Sequence, residues 1–101
     1  MAALQLCPKF EHAVHILGKR WTGLILWTLM SGPKRFSEIE AAIPVSGRLL
    51  SERLKELESE GLVTREVFPE VPVRVVYSLT PKGQAMEPIL AAIQKWAERW
   101  G

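Results

Sequence analysis

Few side chains in this 101-residue sequence could carry out covalent or metal chemistry: one cysteine, Cys7, and two histidines, His12 and His15. Asp and Asn are absent, so a serine activated by a His-Asp pair cannot be assembled. No glycine-rich phosphate loop is present either. Cys7, His12 and His15 could supply at most three metal ligands, loosely spaced and without a second cysteine, so neither a metal nor another cofactor is expected. The chain reads as a non-enzyme. Cys7 cannot form a disulfide within the chain. It serves either as a small hydrophobe beside Pro8 or as a thiolate that oxidants or electrophiles modify.

A second kind of chemistry, the recognition of phosphates and base edges, has more to work with. Residues 46–60, SGRLLSERLKELESE, read as an amphipathic helix. Ser46 suits its N-cap, Val45 can close over Leu50 as a staple, and Gly61 supplies the stop. At 100° per residue, Leu50, Leu54 and Leu57 form one stripe with Leu49 at its edge. Arg48, Ser51, Glu52, Lys55 and Ser59 face the other way. Upstream, Phe36-Ser37-Glu38-Ile39-Glu40 reads as a capping box, with Ser37 at the N-cap, Glu40 three residues on and Phe36 as the staple. Pro44 limits that helix to Ile43. Two short helices with such a join form a helix-turn-helix, whose second member commonly enters the DNA major groove. An ordinary helical corner would look the same on this evidence.

The remaining elements must hold that pair in place. A first helix over residues 9–17 carries His12 and His15, and Gly18-Lys19-Arg20 breaks it. Residues 21–30 are apolar on nearly every face, which predicts a central buried helix with Trp21 and Trp27 in the core. Gly32-Pro33 ends it, and Lys34 and Arg35 follow where they could hold a phosphate or simply be solvated. Residues 62–68 and 73–79 are rich in β-branched residues and flank Pro69-Glu70-Val71-Pro72, a β-hairpin pattern with Val63 and Val67 on one face. A hairpin directly after a recognition helix reads as a wing. Arg74, and less surely Arg65, could reach DNA backbone or minor groove from it; on a mere edge hairpin they would only discourage aggregation.

Thr80 and Pro81 open a last helix as N-cap and first helical position. Met86, Ile89, Leu90, Ile93, Trp96, Ala97 and Trp100 recur along it at three- and four-residue steps, and Pro88 should bend it. This stripe carries more apolar surface than so small a domain can cover. It predicts a homodimer interface at Met86, Ile89, Leu90, Ile93, Trp96 and Trp100, with packing on the first helix as the alternative.

Composition sets the outer bounds. With 48% hydrophobic and 24% charged residues, one domain over residues 1–101 is expected. The longest apolar run, residues 21–30, is half of what a membrane span needs, and the start lacks a basic secretory segment, which together predict a cytoplasmic protein. A net charge of +2 and a pI near 8.9 permit a polyanionic partner without requiring one.

The ordered set of strings resembles the HxlR-type, MarR-like winged helix-turn-helix transcriptional regulators of bacteria and archaea. The matching residues are Cys7, Gly18, Arg20-Trp21-Thr22, Ile25-Leu26, Gly32, Arg35-Phe36-Ser37-Glu38-Ile39 and Ile43-Pro44, then Ser46, Leu50, Arg53-Leu54-Lys55-Glu56-Leu57-Glu58, Gly61-Leu62-Val63-Thr64-Arg65, Pro72, Val76-Tyr77-Ser78-Leu79-Thr80, Gly83 and Trp96. The resemblance implies a mainly α fold with a small β-hairpin (α+β). It implies a homodimer joined through its N- and C-terminal helices, about residues 7–17 and 81–100, with each subunit reading half of an inverted repeat in double-stranded DNA. Such regulators are usually repressors, and some sense oxidants or electrophiles at the position of Cys7. With no second cysteine, sensing here would need a Cys7-Cys7 bond across the dimer, a bond to a small thiol, or alkylation.

Within that frame, base readout falls to Ser46, Arg48, Ser51 and Lys55, and phosphate contact to Lys34, Arg35, Ser37 and Arg74. Arg53 points toward the packed stripe, where it braces the wing or pairs with a glutamate. Glu52, Glu56, Glu58 and Glu60 keep one alternative open, a winged helix that binds proteins rather than specific DNA.

Overall fold

The computed structural model describes residues 7–101. Residues 1–6, which carry the expected absence of a secretory segment, lie outside the described residues. Helix α1 spans Pro8–Gly18 and begins with proline in its first turn, where the missing N–H costs nothing. It contributes no fully buried side chain and packs through Ile16 and Leu17 alone.

Helix α2, Thr22–Leu29, starts only after Trp21, whose φ of 78° is left-handed. For a bulky aromatic residue this conformation costs about 1–2 kcal/mol. Ile25, Leu26 and Leu29 are fully buried, but α2 is not enclosed on every side as its composition predicted. Leu24 and Trp27 lie on its outer face, Trp27 at 40% exposure, and Trp21 is half-buried against the core. Even a two-turn helix in so small a domain has one face that its own chain cannot cover.

Strand β1, Lys34–Arg35, leads without a break into α3, Phe36–Ala42. The N-cap of α3 is therefore Arg35, two residues before Ser37. Pairing with Val76 keeps Arg35 extended, and its backbone N–H donates to Glu38 Oε1 at 2.8 Å. Glu38, not Glu40, is the capping carboxylate. A guanidinium has no acceptor with which to return the bond, so one arm of a box forms at Arg35 and Glu38, and the box expected at Ser37 and Glu40 does not. Ile43 closes α3 in extended geometry ahead of Pro44.

Helix α4, Gly47–Ser59, follows with Ser46 Oγ accepting Leu49 N–H at 3.2 Å. Leu50, Leu54 and Leu57 are essentially fully buried, as the stripe predicted. At about 25 cal/mol per Å² of apolar area, each such side chain contributes roughly 2 kcal/mol. Gly61, at φ 74°, makes the turn out of the helix.

Strands β2, Val63–Phe68, and β3, Arg74–Leu79, form the hairpin. The sheet has three antiparallel strands in the order β1-β3-β2, because β1, not foreseen in the sequence, pairs Lys34 with Tyr77. Val63 is buried while Val67 on the same face is 48% exposed, since the hairpin reaches beyond the core.

The last helix is two helices: α5, Pro81–Gln84, and α6, Glu87–Trp100. Pro88, expected as a bend, instead falls in the first turn of α6, where its missing N–H is harmless. Thr80 caps α5 as predicted, with its hydroxyl accepting Gly83 N–H at 3.1 Å. Of the stripe, Leu90 is buried in this chain's own core and Met86 packs against it. Ile89, Ile93, Trp96 and Trp100 stand exposed, the two tryptophans at 64% and 66%. The mainly α architecture with its small sheet is that of a winged helix-turn-helix.

Candidate nucleic-acid interface

Three elements carry the residues expected to meet DNA. β1 and the start of α3 supply Lys34, Arg35 and Ser37, α4 supplies the second helix of the helix-turn-helix, and β2-β3 supplies the wing. Arg35 and Ser37 are exposed and Lys34 is half-buried.

On α4, Arg48 is a largely open cation. Its side chain is 93% exposed and meets Glu52 at only 3.7 Å, too long for a hydrogen bond. Lys55 is exposed and Ser51 half-buried. Ser46 already accepts a hydrogen bond as the cap, which leaves its hydroxyl proton free to donate.

The acidic residues divide along the helix. Glu52 stays near Arg48, whereas Glu56 accepts Lys19 Nζ at 3.0 Å and Arg53 Nη1 at 3.2 Å. Glu60 is paired with His12 Nε2 at 2.8 Å. His12 is thus engaged with the recognition helix, 48 positions away, and no local pattern signals either that pair or Lys19 with Glu56. The His12 hydrogen bond, more than the nearby charges of His12, Lys82 and His15, holds the Glu60 carboxyl below its ordinary 4.5. Arg53, 17% exposed, also donates from Nε to the Arg20 carbonyl at 3.0 Å. It pairs with a glutamate and braces the α1–α2 corner, not the wing.

The wing's arginines differ in freedom. Arg65 is exposed. Arg74 donates to Glu70 at 2.8 Å and lies 4.0 Å over the Phe68 ring, so its guanidinium is oriented in advance with its outer N–H groups still unspent.

At the other end, Cys7 is exposed and precedes α1 as its N-cap residue. Among the described residues no cluster of His, Cys, Asp or Glu is arranged to hold a metal, and no helix is long and apolar enough to cross a membrane.

Comparison with known proteins agrees with this geometry. A model of the HxlR-like helix-turn-helix family matches residues 16–101. The HTH-type transcriptional regulator YvaP of Bacillus subtilis is 63% identical over 97 residues, covering 95% of this chain and 90% of YvaP. The reduced form of the transcriptional regulator YodB from B. subtilis superposes with a TM-score of 0.85 at 52% identity, covering 95% of each chain. Its quinone-bound form gives a TM-score of 0.82 at 48% identity, covering 94% of this chain and 100% of that one. These relatives are regulators of transcription and not enzymes. With its family model, its relatives and its winged helix-turn-helix in agreement, the chain belongs to the HxlR-like helix-turn-helix family of DNA-binding transcriptional regulators.

Proposed function

We propose that this protein is a homodimeric repressor that binds an inverted-repeat operator in the cytoplasm and responds to an oxidant or electrophile through Cys7. The observation that carries the DNA reading is the division of charge on α4. Its first half presents Arg48 to solvent, while Glu56 in its second half and Glu60 at its C-cap are taken up by Lys19, Arg53 and His12. Glu58 and the loosely held Glu52 remain as acidic surface, but with Glu56 and Glu60 paired the phosphate repulsion is reduced.

Ser46, Arg48, Ser51 and Lys55 then meet base edges, and Lys34, Arg35, Ser37 and Arg74 meet phosphates. The exposed stripe of Ile89, Ile93, Trp96 and Trp100 supports a dimer through α6, and α1 adds exposed Phe10 and Val14. Leu90 and Met86 support that interface from beneath. For the effector, the exposed Cys7 and the existence of a quinone-bound relative support electrophile sensing. Addition of Sγ to a quinone ring carbon would form a C–S bond and leave a hydroquinone thioether.

The test is an anisotropy titration of reduced protein against DNA from just upstream of its own gene, with scrambled competitor at two salt concentrations, repeated after quinone treatment. Saturable binding that resists competitor by about a thousandfold or more supports the reading. Weak binding that is blind to sequence and lost as salt rises overturns it. Unchanged binding by Cys7-modified protein overturns the sensing part alone.

A further inference from the structure

The corner between α1 and α2 holds a strained residue tied directly to the recognition helix. Trp21 keeps a φ of 78°, a setting that a large side chain retains only where its surroundings over-determine it. Three features do so here. The Trp21 ring is half-buried against the core, the Arg20 guanidinium lies 4.7 Å over it, and Arg53 Nε donates to the Arg20 carbonyl at 3.0 Å.

The third contact matters mechanically. The Arg20 carbonyl and the Trp21 nitrogen belong to one rigid peptide plane, and φ of Trp21 is the rotation between that plane and the Trp21 α-carbon. Relaxing Trp21 to negative φ would swing the carbonyl away from Arg53. Arg53 sits on α4, and its other arm reaches Glu56 at 3.2 Å, which Lys19 grips from the same corner at 3.0 Å. The corner and the recognition helix therefore share one network of polar contacts with the strained bond at its end. α1 has no fully buried side chain; besides this corner, Ile16 and Leu17 against the core and the His12-Glu60 pair hold it to the rest of the molecule.

We propose that the Arg20-Trp21 peptide is a two-position joint between α1 and α4, and that Arg53 is the positioning residue through which its setting fixes the recognition helix. Arg53 touches no DNA in this scheme; it acts through α4. The inference rests on the operator-binding reading above. Coupling between two sites is reciprocal, so DNA seated on α4 must be felt at Trp21.

The experiment uses full-length protein labelled with 5-fluorotryptophan, in which the four tryptophans give separate fluorine resonances and Trp21→Phe assigns that of Trp21. The probe is a duplex selected by the protein from random DNA. We expect the Trp21 resonance to move on saturation with this duplex. In Arg53→Met the movement is lost and affinity for the selected duplex falls about tenfold, within the usual range of coupling, while binding to random duplex at low salt is unchanged. Lys19→Met, at a half-exposed position, gives the same pattern more weakly and serves if Arg53→Met fails to fold. A Trp21 resonance that stays still while anisotropy shows saturation overturns the joint alone, as does a movement that persists in the folded variants. If no duplex can be selected, the operator-binding reading falls and the joint falls with it.

Discussion

Arg74 Nε donates to Glu70 Oε2 at 2.8 Å across the turn of the wing. The pair aims the guanidinium but also places a carboxylate beside the expected path of the DNA backbone. Arg74→Ala should therefore weaken binding to all sequences alike and lower the salt slope by about one. Glu70→Gln should tighten binding to all sequences by a few fold. A filter-binding salt titration checks both, and unchanged slopes for Arg74→Ala would remove it from the phosphate contacts.

Arg48, with its side chain almost wholly in solvent, should behave in the opposite way. Arg48→Ala should cost about 1–3 kcal/mol at one base pair and little elsewhere. Binding to a panel of duplexes, each with one base pair changed, reads this directly. An equal loss on every member would make Arg48 a phosphate contact.

Gly83 is buried against Leu62 so closely that a β-carbon there would collide with the Leu62 backbone carbonyl. Backbone cannot yield as a flexible side chain does. Gly83→Ala should destabilise the fold by about 1–3 kcal/mol, seen as a lower midpoint in thermal or urea unfolding. An unchanged midpoint would show that the turn at α5 has room to shift.

The exposed α6 face should hold two subunits together. Ile93→Glu combined with Trp96→Ser should give a monomer by sedimentation equilibrium, while far-ultraviolet circular dichroism stays as in the parent. Operator affinity should fall with it, because two half-sites are no longer bound at once. A dimer that survives both changes lies elsewhere.

Acid stability should report the Glu60-His12 pair. Glu60 is held below its ordinary 4.5 in the folded chain, so its contribution is present above that value and is lost as pH falls through the lower, folded value. Glu60→Gln should therefore slightly lower stability above about pH 4.5, flatten the acid limb below it and leave parent and variant alike at the acid end, the whole effect being small for so open a pair. Urea unfolding at a series of pH values measures it.

What local chemistry dictates was readable in the sequence. Ser46, the leucines at 50, 54 and 57, Gly61, Thr80 and Pro81 each act within one turn of the chain, and each does in the structure what its spacing predicted. The errors arise where a distant partner decides. Arg35 replaces Ser37 as N-cap because Val76 pairs with it in the sheet, and two residues of strand have no period to detect. Trp27 lies outside because the chain runs out of surface to cover α2. Pro88, expected to bend one continuous helix, instead marks the fresh start of α6. At the site, the open face of α4 was legible from helical angle. The capture of Glu56 and Glu60 by Lys19 and His12 was not, since charge partners far apart in sequence leave no periodic trace.

The central claim is that two copies of α4 read two halves of one palindromic site, and selection of duplexes from a random pool followed by sequencing tests it most directly. The account predicts an enriched inverted repeat whose half-sites are centred about one helical turn, roughly 10–10.5 base pairs, or a multiple of it apart, with one position relaxed when Arg48→Ala is selected in parallel. Enrichment of a single unpaired half-site, or of no sequence at all, would contradict it.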